Sequence, residues 1–260
     1  MLSCIRLFTG GVLVAAAMLA GSTAGAVTAD LRIDRFDRSA LASAQAGMAD
    51  FLASHTVKNL RQETFEGYAA WNGSSGTSSP QNTKVGSFSA LGDAGSGASV
   101  VGNGAKLQVR DDNDMFWGRY NANELPPGLV GGKWLDSNDN TGMEWKIAGL
   151  GTFNALAFFV IDAADVGGRF SIQVGDTTFS DLAGGKRLAN GNVHFVRILL
   201  DEAVSDLTIR LMHDRTNDGF GIDGVTMARV APVPLPGAAG LLLGGMALLA
   251  GQRRRRRAAA

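Results

Sequence analysis

The chain has 260 residues, 45% of them hydrophobic, with 35 glycines and one cysteine, a composition that excludes a disordered tail, a collagen-like polymer and a polytopic membrane protein. Six of its 24 basic residues, Arg6 and the run from Arg253 to Arg257, stand in terminal segments without acidic residues, which leaves 18 basic and 24 acidic residues in the body. This acidic body argues against binding of nucleic acid, which requires clustered Lys and Arg.

Residues 1–26 have the layout of a secretory signal peptide. Arg6 stands near the start, an apolar run extends from Leu13 to Ala20, and small residues follow. The pattern predicts cleavage after Ala26, with Ala24 and Ala26 as the small residues of the cleavage site. A buried helix is the alternative, and it is weakened because polar residues follow at once. Cys4 lies inside this signal, so the mature chain has no cysteine for a disulfide.

The segment from Asp37 to about Leu60 predicts one amphipathic helix. Its apolar side chains recur at three- and four-residue spacing, without proline. They are Leu41, Ala44, Met48, Phe51 and Leu52, followed by His55. We expect this helix to pack on the following domain or to space it from the membrane. The more specific alternative is a helix that binds a partner protein.

After this helix the period changes to short apolar or alternating runs, separated by Gly, Asn, Asp and Ser. Such runs predict strands of an antiparallel sandwich or barrel. The predicted strands are Thr64 to Tyr68, Val85 to Leu91, Ala105 to Val109, Met143 to Ile147, Ala155 to Ile161, Phe170 to Val174, Val193 to Leu200, Leu207 to Met212 and Ile222 to Val230. Two glycine-rich stretches, 72–80 and 92–104, are predicted surface loops.

The end of the chain has three parts. Val233, Pro234, Leu235 and Pro236 form an extended spacer, and apolar residues 237–251 follow. The span closes with Arg253, Arg254, Arg255, Arg256 and Arg257. Fifteen residues of helix cover about 22 Å, short of the ~30 Å hydrocarbon core, so this predicted transmembrane helix is marginal. The arginines predict that the tail lies in the cytoplasm and the body outside.

This tripartite ending resembles the PEP-CTERM family of bacterial sorting signals, most closely its VPLPA-CTERM variant. The resemblance rests on residues 233–236, the apolar span and the arginines, with Gly237 where the variant has alanine. It implies an exported protein of a Gram-negative bacterium, processed by an exosortase-type membrane peptidase and bound for the cell surface or the exopolysaccharide matrix. A plain C-terminal anchor without processing is the alternative.

Two passages of the body resemble globular domains of exported proteins. One comprises 133–138 with 154–159 and 162–165, and the other is the closing segment 217–225. The second is similar to the last strand of jelly-roll domains of the MAM and carbohydrate-binding-module type, with Gly224 where those domains usually have a second Asp. The sequence therefore predicts an all-β, jelly-roll-like sandwich over 61–231, preceded by an N-terminal segment 27–60 with one helix, and followed by the sorting signal at 232–260.

Oxygen-rich loops suggest calcium. Asp136, Asn138 and Asn140 alternate as in the start of an EF-hand, but Thr141 and Ile147 occupy the positions of its glycine and closing carboxylate. We therefore predict a calcium site of another kind, near the closing segment. Its candidate ligands are Asp136, Asn138, Asp162, Asp165, Asp218 and Asp223. The alternative is that these side chains only form turns through hydrogen bonds to the backbone.

Catalysis has little support in the sequence. The G-x-G-x-x-G string at 219–224 precedes a predicted strand instead of the helix that a phosphate site requires. His55, His194 and His213 stand apart from one another, and no pair of glutamates is nominated for glycoside hydrolysis. Four tryptophans lie between residues 71 and 145, where rings on strands would belong to the core and rings at loop tips would stack on sugars.

The sequence thus predicts an exported, non-enzymatic protein of the cell surface or matrix, with a structural, adhesive or glycan-binding role. An extracellular enzyme acting on polysaccharide is the alternative. The two predictions differ in what the surface should show: an open display of aromatic rings for a binding protein, and a cleft with two carboxylates for an enzyme.

Overall fold

The structure, a computed structural model, describes residues 27–72, 75–94, 106–111, 117–122, 132–180 and 184–232. The predicted signal peptide with Ala24 and Ala26 lies outside these residues. So does the predicted sorting tail, including residues 233–236, the apolar span 237–251 and the five arginines. Within the described residues, no helix is long and apolar enough to cross a membrane.

The described residues form twelve strands, one α-helix (α1) and a 3-10 helix at Arg38–Ala40. The strands β1 to β6 and the helix have the bounds β1 Ala29–Phe36, α1 Leu41–Ala53, β2 His55–Glu63, β3 Ser87–Ala94, β4 Gln108–Arg110, β5 Trp134–Asp136 and β6 Asn140–Ile147. The remaining strands are β7 Phe153–Ile161, β8 Phe170–Val174, β9 Thr177–Phe179, β10 Val193–Val204, β11 Leu207–His213 and β12 Gly221–Pro232.

These strands form two sheets, and every pairing between them is antiparallel. The larger sheet has the order β1-β10-β7-β12-β5-β4, and β2 pairs with the second half of the long strand β12. The smaller sheet has the order β3-β6-β11-β8-β9. Apolar residues of both sheets share one core, so the prediction of a mostly-β antiparallel sandwich is confirmed.

Aromatic side chains dominate the core between the sheets. Trp145 of β6 stacks on Phe88 of β3, with 5.8 Å between ring centroids, and meets Phe158 of the opposite sheet edge to face at 5.9 Å. Its indole Nε1 donates a 2.9 Å hydrogen bond to the carbonyl of Val85, which satisfies the one polar atom of the ring. Trp145 therefore fixes the spacing of the sheets at its position.

A second, smaller core lies on the outer face of the larger sheet, under α1. Ala44, Met48 and Phe51 recur at helical spacing and are buried against β7 and β10. Strand β7 is consequently covered on both faces, which explains its almost unbroken apolar sequence FNALAFFVI. The molecule thus has three layers over this part of the sheet, and the expectation that the helix packs on the sandwich is confirmed.

The structure corrects several sequence predictions. The helix ends at Ala53, so His55 begins strand β2, and the predicted strand at 64–68 is a turn. Strand β1 was not predicted, although Asp30, Leu31, Arg32 and Ile33 alternate polar and apolar as an edge strand does. The predicted N-terminal segment 27–60 is therefore not separate from the sandwich, because β1 and β2 belong to its larger sheet.

Short connections cross between the two sheets at one end of the sandwich. They are residues 137–139 between β5 and β6, 162–169 between β7 and β8, and 214–220 between β11 and β12. The register places Ile161, Asp136 and Gly221 side by side at this end. We call it the loop end, and it holds most of the acidic side chains that the sequence singled out.

Candidate functional site

The loop end is organised around a buried arginine. Arg119 lies in the segment 117–122, with its Nε 3.0 Å from Oδ1 of Asp136 and its Nη1 3.7 Å from Oδ1 of Asp139. The arginine side chain is only 4% exposed and that of Asp136 is fully buried. A guanidinium buried among carboxylates offsets charges that would otherwise be costly to remove from water.

The segment 117–122 is held in place at each of its inner residues. Gly118 has a φ of +98°, and a side chain there would collide with the carboxylate of Asp162. The hydroxyl of Tyr120 donates a 2.9 Å hydrogen bond to the carbonyl of Gly191, and the amide of Ala122 donates to Oδ2 of Asp223 at 3.0 Å. Tyr120 and Ala122 also pack in the core on the outer face of the larger sheet, so contacts along the segment hold it against the protein.

A second group of charged side chains lies beside it. Nε2 of His213 is 2.6 Å from Oδ2 of Asp218, and both side chains are fully buried. Asp165 lies close enough to Asp218 for the two carboxyl groups to influence each other's charge, while Oδ1 of Asp162 accepts a 2.7 Å hydrogen bond from the amide of Gly191. His213 and Asp218 resemble the base and orienting acid of a catalytic triad, but a fully buried imidazole is closed to a substrate.

The electrostatics of these residues show an excess of buried carboxyl groups. Burial raises the pKa of Asp162 to about 8, and neighbouring Asp165 raises it further while the Gly191 amide and Arg119 oppose the shift. Burial and the neighbouring carboxyl group of Asp218 raise the pKa of Asp165 to about 6. Burial opposes protonation of His213, but the contact with Asp218 outweighs it and raises the pKa of the imidazole. We call Arg119, Asp136, Asp139, Asp162, Asp165, His213 and Asp218 the loop-end cluster.

Four of the six predicted calcium ligands belong to this cluster: Asp136, Asp162, Asp165 and Asp218. The other two, Asn138 and Asp223, form hydrogen bonds with backbone groups. Asn138 donates from Nδ2 to the carbonyl of Lys106, and Asp223 accepts hydrogen bonds from the amides of Ala122 and Gly224. Within the described part of the chain, no three His, Cys, Asp or Glu side chains converge closely enough to hold a metal ion. Calcium binding stays a prediction.

The tryptophans divide between core and surface. Trp134 and Trp145 are buried, and Trp71 is half-buried. Trp117 is 72% exposed, the largest exposed fraction among the bulky apolar side chains of the described residues, and its φ is +49°. It directly precedes Gly118 and Arg119, so the most exposed large ring adjoins the most tightly held segment of the loop end.

A separate groove lies on the outer face of the larger sheet. It has a volume of about 530 Å³ and lies between α1, the edge strand β1 and the neighbouring strand β10. Asp30, Arg32 and Asp34 of β1 form one wall, and Asp50, Phe51, Ser54 and His55 form the other, with Arg197 and Leu199 on its floor. We call this the helix groove.

Sequence reasoning missed both Arg119 and the helix groove. Nothing in the local sequence distinguishes Arg119 from a surface arginine, because its partners Asp136 and Asp139 lie at the end of β5 and in the loop after it, and tertiary structure brings them to the arginine. One wall of the groove could have been predicted. Polar and apolar residues alternate over 29–34, and in a strand this alternation puts Asp30, Arg32 and Asp34 on one face. The G-x-G-x-x-G string leads into β12, as predicted, and starts no helix.

Comparisons with protein-family models, with curated proteins and with solved structures found no match.

Proposed function

We propose that this chain is an exported protein of the cell surface or extracellular matrix, with a non-enzymatic, glycan-binding role exercised at the loop end of a jelly-roll-like sandwich. The observation that carries the proposal is Trp117, an indole ring 72% exposed beside a backbone segment that is anchored at Gly118, Tyr120 and Ala122.

Exposed tryptophan is costly to leave in water, because the ring buries a large apolar area when it is covered. The flat face of an indole matches the apolar C–H face of a sugar ring, and the indole N–H remains free to bond a hydroxyl. Because the segment after Trp117 is already ordered, binding there orders fewer additional groups, and the entropy cost of association falls. These features favour a ligand that stacks on the ring over one that penetrates the protein.

The two ends of the sequence support the location. The signal-like residues 1–26 supply export through the inner membrane, and the tail from Val233 to Arg257 supplies a membrane segment for an exosortase-type peptidase. Exopolysaccharide is then the most abundant ligand that such a protein would meet. The body has 18 basic and 24 acidic residues, a balance that argues against nucleic acid as the ligand.

The test is a glycan array probed with the purified full chain, its Trp117→Ala variant and a Leu60→Ala control. Leu60 is also exposed, at 51%, but lies on β2 away from the loop end. We expect Trp117→Ala to weaken binding about tenfold, equivalent to ~1.4 kcal/mol, and Leu60→Ala to leave it unchanged. Equal binding by all three proteins, or no binding by any, would refute the glycan proposal.

One observation favours an enzyme as the second candidate. The helix groove gathers three carboxylates, Asp30, Asp34 and Asp50, as a glycosidase cleft would. Two of them are paired with arginines, Asp30 with Arg32 and Asp34 with Arg197. Release of reducing ends from polysaccharide by the full chain, abolished in Asp50→Asn, would establish the enzyme instead.

A further inference from the structure

Two ion pairs line the helix groove. Arg197 contacts Asp34 by an ion pair and lies over the ring of Phe195, with its guanidinium carbon 5.3 Å from the ring centroid. Nε of Arg32 is 3.2 Å from Oδ2 of Asp30. Each pair holds one carboxylate oxygen and leaves further donors and acceptors to face the groove.

The opposite wall is set by the close approach of the helix to the sheet. A Cβ atom at Gly47 would lie 3.1 Å from the ring of Phe195, closer than most Cβ contacts, so glycine lets α1 pack here without displacing that ring. The rings of Phe51 and His55 lie 5.1 Å apart, and Nδ1 of His55 is fixed 2.8 Å from the carbonyl of Phe51. Within the described residues, the carboxylate of Asp50 makes no hydrogen bond or ion pair.

This combination points to the chemistry of its ligand. Sugar hydroxyls donate and accept hydrogen bonds at once, and they are matched by walls on which carboxylates and guanidiniums alternate. Three carboxylates against two guanidiniums leave one net negative charge, which disfavours an acidic sugar. The volume of about 530 Å³ lies within the range of small-molecule sites and fits two sugar rings.

We propose that the helix groove is a second carbohydrate site, for an uncharged segment of about two sugar units. It shares no residue with the Trp117 site. The groove residues Arg197 and Leu199 stand four to six positions along β10 from Val193 at the loop end, or ~13 to 20 Å of strand. Two such sites on one domain would let a single molecule link two glycan chains, with the avidity that linked sites provide.

The test is hydrogen exchange with mass spectrometry on the purified full chain, with cellobiose, maltose or lactose at concentrations to ~10 mM, where millimolar affinities are detected. The detergent must lack a sugar headgroup, because a maltoside would compete for the groove. We expect slower exchange in peptides covering 29–36 and 47–55 with at least one of these disaccharides, and no slowing with digalacturonate.

Two variants locate the effect. Asp50→Arg reverses a charge and extends a long side chain across the groove, so it should weaken binding at least tenfold, and Asp50→Asn should weaken it less. Asp176→Arg makes the same change in an exposed turn of the smaller sheet and should bind as the wild type does. Undiminished binding by Asp50→Arg, protection confined to 117–122, or no protection with any disaccharide would each overturn the proposal.

The outcomes separate this proposal from the previous one. Protection at 47–55 that persists in Trp117→Ala supports the groove even if the Trp117 site fails on the glycan array. Loss of array binding in Trp117→Ala, with no protection at 47–55, supports the loop-end site and overturns the groove.

Discussion

The Nε atom of Arg119 lies 3.0 Å from Oδ1 of Asp136, and both side chains are almost fully removed from solvent. The exposed pair Arg32 and Asp30 has a similar separation, 3.2 Å, with side chains 70% and 55% exposed. The protein therefore contains the same chemical contact in two environments.

We predict that Arg119→Ala lowers the free energy of unfolding by about 3–5 kcal/mol, because it leaves buried carboxylates without their cation. Arg32→Ala, the matched control, should cost less than about 1 kcal/mol, because water screens its pair. Urea unfolding of the two variants and the wild type measures both values. A loss below about 1 kcal/mol in Arg119→Ala as well would mean that Arg119 does not stabilise the loop end.

We predict that buried His194 lowers the free energy of unfolding in acid. Its side chain is fully buried, and burial, aided by the charge of Arg35, lowers the pKa of the imidazole to about 4 from 6.5. Between these values the unfolded chain binds a proton that the native protein does not, so stability falls as the pH drops from 6.5 and the loss is complete below 4. The difference corresponds to about 3 kcal/mol.

The measurement is the free energy of unfolding at several pH values between 7 and 4 for the wild type and His194→Leu. The variant should lack this part of the slope, while His55→Gln, which alters a half-exposed histidine, should keep it. A wild-type slope retained in His194→Leu would assign the acid sensitivity to other groups.

For Asp162 we predict that the free energy of unfolding depends on pH in the opposite direction. Burial raises its pKa to about 8, so between pH 4 and 8 the native protein holds a proton that the unfolded chain releases. Its contribution to stability is therefore greatest in acid and is lost as the pH rises through 8. Asp162→Asn keeps the oxygen that accepts the Gly191 amide but carries no charge.

We expect Asp162→Asn to gain stability relative to the wild type as the pH rises from 5 to 9, measured by urea unfolding in chelator. Asp30→Asn, at an exposed carboxylate, should run parallel to the wild type. Parallel profiles for Asp162→Asn as well would show that this carboxyl titrates alike in the folded and unfolded chain.

The strands that the sequence predicted best are those whose pattern is set locally. Strand β8 has its predicted bounds, and β7 differs by two residues at its start, because apolar runs between turn residues specify a buried strand. Strand β1 was missed because its alternation is short and precedes a stronger helical pattern. The helix was extended too far because His55 continues its spacing, whereas Thr56 and Val57, both β-branched, favour a strand.

The site was predictable only in part, for a physical reason. Acidic residues near turns can be recognised from the sequence by residue type alone. Four of those that the sequence singled out, Asp136, Asp162, Asp165 and Asp218, belong to the loop-end cluster. Arg119 meets Asp136 through tertiary contacts alone, and no spacing in the sequence predicts a salt bridge between these two separate segments. The exposure of Trp117 is equally a tertiary property, because its neighbours Arg119 and Tyr120 are buried.

The ends of the chain give a prediction of processing. The five arginines would end membrane insertion after the apolar span, but fifteen apolar residues are too few to cross the hydrocarbon core comfortably as a permanent anchor. We expect the mature surface protein to begin at Val27 and to lack the segment from Gly237 to Arg257, and intact-mass spectrometry of that protein measures both ends. A mature chain that retains the tail would support the plain anchor, and deletion of the five arginines should cause missorting or release.

The last prediction concerns calcium at the loop-end cluster. Five carboxyl groups, those of Asp136, Asp139, Asp162, Asp165 and Asp218, share the region with the guanidinium of Arg119 and with His213, whose imidazole pKa is raised by its contact with Asp218. In the absence of a metal, protons neutralise part of the excess, as the raised pKa values of Asp162 and Asp165 indicate. Calcium selects carboxylate oxygens and would replace those protons after the side chains move closer together.

We therefore expect calcium to raise the melting temperature, and to do so more at pH 8 than at pH 5.5, where protons compete for the same oxygens. At a hundred times the dissociation constant, binding adds ~2.7 kcal/mol, which is several degrees for a domain of this size. Asp165→Asn should reduce the shift, whereas Asp206→Asn, at the turn between β10 and β11, should preserve it. Identical melting curves of the wild type in millimolar calcium and in chelator would show that the cluster does not bind calcium. Its carboxylates would then be compensated by Arg119 and by bound protons alone.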